Sequence, residues 1–183
     1  LGGDLPLPPT GLRGTVALTR TSIDLGSGFT LDADELRFEV DTAVGTVGFT
    51  GTGMAIGLGG PVLSGSFLVS RATTSLGAAR TVIAVSGAAF ALSATDTPIL
   101  DGVTGLFVVT TAGIAGSLAG RIDLGSLLPD SVAVSGTFAL LVNRSDQPVR
   151  ESVTVGGTTV ALDVKAGPYL RVAGTGIALT IAG

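Results

Sequence analysis

The chain has 183 residues, enough for one domain or a short run of repeats with a real core. It carries 10 basic and 14 acidic residues, a net charge of −4, and only 13% charged residues, about half the usual share, with no His, Cys or Trp. These absences exclude His-dependent triads, cysteine nucleophiles, His- or Cys-type zinc sites, haem ligation by His and disulfides, and the acidic balance excludes a phosphate-tracking nucleic-acid surface.

The first ten residues, LGGDLPLPPT, contain three prolines and match nothing that follows; such a segment is extended and unsuited to a central strand. A first unit runs from 11 to 60. It opens with LRGTVAL (12–18), passes through ELRFEVD (35–41) and closes with GTGMAIGLGG (51–60). A second, 61–113, repeats the order with LSGSFLV (63–69), AAFALSA (88–94) and the looser GVTGLFVVTTAG (102–113). The third, 114–183, reads IAGSLAG (114–120), TFALLVN (137–143) and GTGIALTIAG (174–183), the last identical to the first closing segment at five of ten positions. The third unit is longer because of PVRESVTVGGTTVALDVKAG near 148–167, where β-branched residues flank Gly156-Gly157, the signature of a hairpin with a two-residue turn. VSGAAFAL (85–92) matches VSGTFAL (134–140) with one residue added, which predicts a β-bulge.

The opening segments alternate: Leu12, Gly14, Val16 and Leu18 face one way, as do Leu63, Gly65, Phe67 and Val69. A glycine recurs at the centre of that face, at Gly14, Gly65 and Gly116. Glycine inside a strand marks close approach or a bend, so a neighbouring side chain such as Phe67 is expected over the missing Cβ. Gly53, Gly105 and Gly176 are assigned to the closing turns. Asp32 to Glu39 reads as strand, like its counterparts in the other units. The expected fold is all-β: an elongated, open-ended stack of about three antiparallel-rich units, solenoid- or sandwich-like, with four or five strands each. Repeats of this size bury their apolar faces only by associating.

Mean hydropathy is +0.65, and residues 42–70 and 102–120 carry no charge. Their glycines and alternating small residues fit strands rather than membrane helices, and one Tyr with seven Phe is too little for the aromatic girdles of a membrane barrel. No membrane span is expected. The chain begins at Leu1 without a visible signal peptide, the pattern of a processed chain or of an excerpt from a longer one.

The motifs GTGIALTIAG, LSGSF and TVGGTTVALDVKAGPYLRVAGTG (154–176), in this order, resemble the tandem β-repeat modules of giant bacterial secreted or cell-surface, adhesin-like proteins. The resemblance covers roughly 11–183. It implies an extracellular, repetitive, non-catalytic role in adhesion or a surface matrix, and supplies no functional residues to transfer. LVSRATTSLG replaces the aromatic stretch common after the LSGSF-type strand in those modules.

Chemistry-bearing residues are sparse. Asp32, Asp34 and Glu35 form the densest acidic cluster and are the only calcium candidates; against that stand the lack of a calcium-loop motif and the ordinary use of charge to protect an edge strand. Asp96, Asp101, Asp123 and Asp130 sit in turn signals, where aspartate bonds its own backbone, and their spacing gives no glycosidase pair. Thr50 and Thr52 alternate as an ice- or glycan-binding array would, but threonine is also simply a good strand residue. Asn143-Arg144-Ser145 has the form of a glycosylation sequon, and Lys165, the one lysine, reads as surface.

The sequence therefore predicts a non-enzymatic structural or adhesive β-repeat protein at the cell surface or outside it, without cofactor. Its expected partners are other copies or neighbouring repeats, joined head to tail, and possible surface glycans. The alternative is a carbohydrate- or ice-binding module.

Overall fold

Small and branched apolar residues alternate here with Ser and Thr and show no lasting 3.6-residue period, which favours extended chain. The computed structural model describes residues 11–26, 29–43, 45–58, 60–73, 79–129 and 131–181, so the Pro-rich start and Asp130 lie outside the described residues. The strands are β1 (Arg13–Gly26), β2 (Phe29–Asp41), β3 (Thr46–Leu58), β4 (Val62–Thr73), β5 (Ala79–Ala91), β6 (Leu100–Thr110), β7 (Gly113–Asp123), β8 (Val132–Asn143), β9 (Val149–Val155), β10 (Thr158–Val164) and β11 (Tyr169–Ile181). A 3-10 turn at Gly125–Leu127 is the only helical piece among the described residues.

Nine strands make one antiparallel sheet in the order β1-β2-β3-β4-β5-β6-β7-β8-β11, and β9 and β10 pair separately. The fold is all-β, and the large sheet is not closed into a barrel. Residues 11–60 supply β1 to β3, residues 61–113 supply β4 to β6, and residues 114–183 supply β7, β8 and β11. Each unit thus contributes three strands to the sheet; the first two units fall short of the expected four or five because the sheet strands are 11–14 residues long and use up the unit, while the third holds five with β9 and β10. The repeats join edge to edge, through the same backbone ladder that joins strands within a repeat.

A line of irregularities crosses the sheet. Register shifts fall between Gly51 and Met54, Ser64 and Ser66, Val85 and Ala88, Asp101 and Thr104, and Thr175 and Ala178. Four of the intervening residues are left-handed glycines: Gly53 (φ 57°), Gly87 (φ 59°), Gly102 (φ 59°) and Gly176 (φ 60°). This is the glycine-bulge geometry, which adds a residue and bends the strand. The bulge predicted from the 85–92 comparison is the one at Gly87. Gly53 and Gly176 therefore lie in mid-strand bulges and Gly105 lies inside β6, none of them in a closing turn. A left-handed glycine serves a bulge as readily as a turn, so sequence context alone does not separate the two.

Strand alternation gives the sheet two unlike faces. On one, Val82, Ala84, Leu106, Val108 and Ala115 are buried under Val155, Val160, Leu162 and Val164 of the β9–β10 hairpin. The hairpin turn is Gly156-Gly157, with φ of 57° and 75°, the two positive values a type I′ turn demands. The opposite face carries a second cluster of Leu36, Met54 and Ala33, with Phe49 and Phe67 against it. Phe38 and Phe49, directly opposed on β2 and β3, hold their rings 5.1 Å apart at 50°.

Two polar devices fix the hairpin on the sheet. The Arg80 guanidinium on β5 pairs with the Glu151 carboxylate on β9, both partly shielded. Asn143, at the end of β8, is fully buried. Its amide donates to the carbonyls of Gln147 (2.8 Å) and Lys165 (2.7 Å), and its Oδ1 accepts from the Ser145 amide (2.9 Å) and hydroxyl (2.8 Å). Arg80→Ala is expected to destabilise by about 1 kcal/mol, since one partly exposed pair contributes no more. Urea unfolding at low salt reads this, and the difference from the parent chain shrinks in high salt.

Candidate functional site: two open edges and an apolar face

The residues singled out from the sequence do not converge. Asp32, Asp34 and Glu35 are all exposed. Ala33 and Leu36, three apart, are both buried, so the strand alternation slips between them. The Asp34 carboxylate fills the space beside Gly53, whereas Glu35 lies on a ledge with Arg37, Glu39, Thr50 and Thr52. Arg37 Nε donates to Glu39 Oε1 at 2.7 Å. No group of three potential ligands suited to a metal occurs among the described residues. The ledge can hydrogen-bond a polar ligand, and Thr50 and Thr52 both line it.

Two of the other acids cap their own backbone. Asp101 Oδ1 accepts from the Gly102 amide at 2.8 Å and Asp123 Oδ1 from the Gly125 amide at 2.9 Å. Asp96 donates its backbone amide to Ser93 in a turn. Lys165 is exposed. The sequon asparagine is the buried Asn143, with its amide nitrogen already committed to two carbonyls. Sequence reading missed this residue as a structural centre because a five-bond network among residues 143, 145, 147 and 165 has no local signature.

The recurrent glycines divide. A Cβ on Gly116 would collide with the Phe107 ring on β6, so an aromatic covers that glycine, but it comes from the preceding closing strand and is not a counterpart of Phe67, which does not cover Gly65. A Cβ on Gly65 would lie 2.7 Å from Ala88 Cα, and Gly65 itself has φ 142°. Gly105 approaches Leu118 in the same way, its Cβ position 2.6 Å from Leu118 Cδ1. Gly14 differs: nothing lies within 4 Å of its Cβ position. The close approach expected at Gly14 is not formed within the described chain, because β1 is an edge strand with no described neighbour on its far side.

Both edges of the sheet are unusually apolar. Leu12, Val16 and Leu18 are 68%, 58% and 41% exposed at the β1 edge. At the β11 edge Leu170, Val172, Ile177, Leu179 and Ile181 are all more than three-fifths exposed. Soluble sheets normally blunt such edges with charge, proline or a covering element. Between the edges, on the face away from the hairpin, Phe67, Val69, Ile83, Val85, Phe90 and Phe107 line an apolar groove of about 300 Å³. No helix of the described residues is long and apolar enough to cross a membrane. No family model matches this chain, and no curated protein or solved structure matches it.

Proposed function

We propose that this chain is a non-catalytic building block of an extracellular β-repeat assembly, structural or adhesive, in which copies associate through their sheets. The observation that carries this reading is the pair of edge strands, of 13 and 14 residues, that have no outer neighbour among the described residues and bear rows of exposed aliphatic side chains. Unpaired strands of that length and character template the addition of another strand. The extracellular assignment is supported by the likeness of the closing and opening motifs to modules of secreted surface proteins.

Sedimentation velocity across a concentration series, with negative-stain electron microscopy, tests the reading. Concentration-dependent oligomers or filaments are expected. If nine strands continue one sheet, the axial repeat is about 43 Å, from roughly 4.8 Å per strand. Monomers at every concentration overturn the proposal.

A further inference from the structure

Two junctions inside the chain show how one repeat is joined to the next. At the first, β3 meets β4 with Gly51 opposite Phe67, Met54 opposite Gly65 and Ile56 opposite Leu63. At the second, β6 meets β7 with Gly105 opposite Leu118, Phe107 opposite Gly116 and Val109 opposite Ile114. The register is the same at both: a glycine on the closing strand stands opposite a large residue of the opening strand, the next large residue of the closing strand stands opposite a glycine, and an aliphatic pair follows. The space at the glycines is filled differently: Leu118 and Phe107 reach across the second junction onto Gly105 and Gly116, whereas at the first Met54 lies on Gly51 of its own strand and Ala88 of β5 backs Gly65. At either junction the glycines leave room for a large side chain between two long apolar strands.

Strand β11 is the third closing strand and β1 is the first opening strand, and neither has a described partner on its outer edge. Their sequences carry the same code. GTGIALTI in β11 places Gly174, Ile177 and Leu179 where β3 has Gly51, Met54 and Ile56, and LRGTVAL places Val16, Gly14 and Leu12 where β4 has Phe67, Gly65 and Leu63. The bulge glycines Gly53 and Gly176 match in conformation, at φ 57° and 60°. The Ile177 side chain, 63% exposed, lies against Gly174 of its own strand as Met54 lies against Gly51, and the space beside Gly14 is open.

We propose that the outer edge of β11 binds the outer edge of β1 of a second copy of this chain, antiparallel, with Gly174 opposite Val16, Ile177 opposite Gly14, Leu179 opposite Leu12 and Val172 opposite Leu18. The proposal rests on the self-associating role above and adds its site, polarity and register. The two edges belong to opposite ends of an open nine-stranded sheet, so the occupant is another copy rather than the chain's own β1. The junction buries eight apolar or glycine positions against each other and places no two like charges opposite in this register.

The absence of cysteine allows disulfide mapping. Chains carrying Leu18→Cys and Val172→Cys are mixed, oxidised gently and resolved without reductant; the control mixes Val16→Cys with Leu170→Cys, four positions out of register. A cross-linked dimer from the first mixture, at least tenfold above the control, is expected. In parallel, Gly14→Val leaves the monomer's unfolding midpoint unchanged and weakens association at least tenfold, while Thr15→Val on the other face leaves association unchanged. Equal cross-linking in both mixtures, or oligomers that form without the 18–172 cross-link, overturns this register but leaves self-association standing. A chain carrying both cysteines that closes only on itself as a monomer overturns the second-copy assignment. Absence of any association overturns the proposal together with the reading it rests on.

Discussion

Gly65→Val is expected to cost about 4 kcal/mol of stability, whereas Ser64→Val, one residue away, changes it by less than about 0.5 kcal/mol. Two effects add at Gly65. Its φ of 142° is a conformation that residues with a Cβ rarely adopt, and the Cβ itself would stand 2.7 Å from the Ala88 backbone. Neither neighbour is a flexible side-chain tip, so the β4–β5 ladder has to separate at its bulge. Ser64 pairs in register with Ala55 and Ala89 and has ordinary strand geometry, so a β-branched residue fits. Chemical denaturation of the two variants checks the contrast. Equal midpoints would sink the claim that Gly65 is a packing position.

Removing the Asn143 side chain is the second large effect. Asn143→Ala deletes four hydrogen bonds made by a side chain that is itself fully buried and leaves the buried Ser145 hydroxyl with one acceptor, the Gln147 carbonyl at 3.1 Å. Buried polar groups stripped of partners cost about 1–3 kcal/mol each, and part of that is recovered when the segment opens to water. A net loss of about 3 kcal/mol is expected, seen as a melting temperature lower by about 6–12 °C for a chain of this size. The damage is local first. Residues 143–147 and 165 join the hairpin to β8 and β11, so amide exchange should accelerate across β9 and β10 before it does in β4 to β7. Uniform acceleration throughout the sheet would show instead that the hairpin and sheet unfold as one unit.

These two sites differ in how far the sequence revealed them. Gly65 stands out because its motif recurs, and recurrence of a glycine inside an alternating strand points to close approach. The same reasoning named Gly14 and Gly116. It identified the position but not the partner, which is Ala88 backbone for Gly65, Phe107 for Gly116 and open space for Gly14. Asn143 carried only a sequon, which pointed to the surface; its burial depends on where residues 147 and 165 return to the end of β8.

The sequence by itself determined that the chain is all-β, where the extra hairpin turns and where an added residue makes a bulge. Those features are local: alternation, Gly-Gly flanked by β-branched residues, and self-similarity are properties of short segments. Only the tertiary structure decided that each unit gives three strands, that the units share one open sheet, that the hairpin covers one face of β5 to β7, and that the remaining apolar residues gather along the other face and at the two edges. Side-by-side and stacked repeats bury the same small residues and use the same ladders, so pattern alone does not choose between them. The choice follows from which strand edges pair and which faces meet, and those are fixed by contacts between residues tens of positions apart.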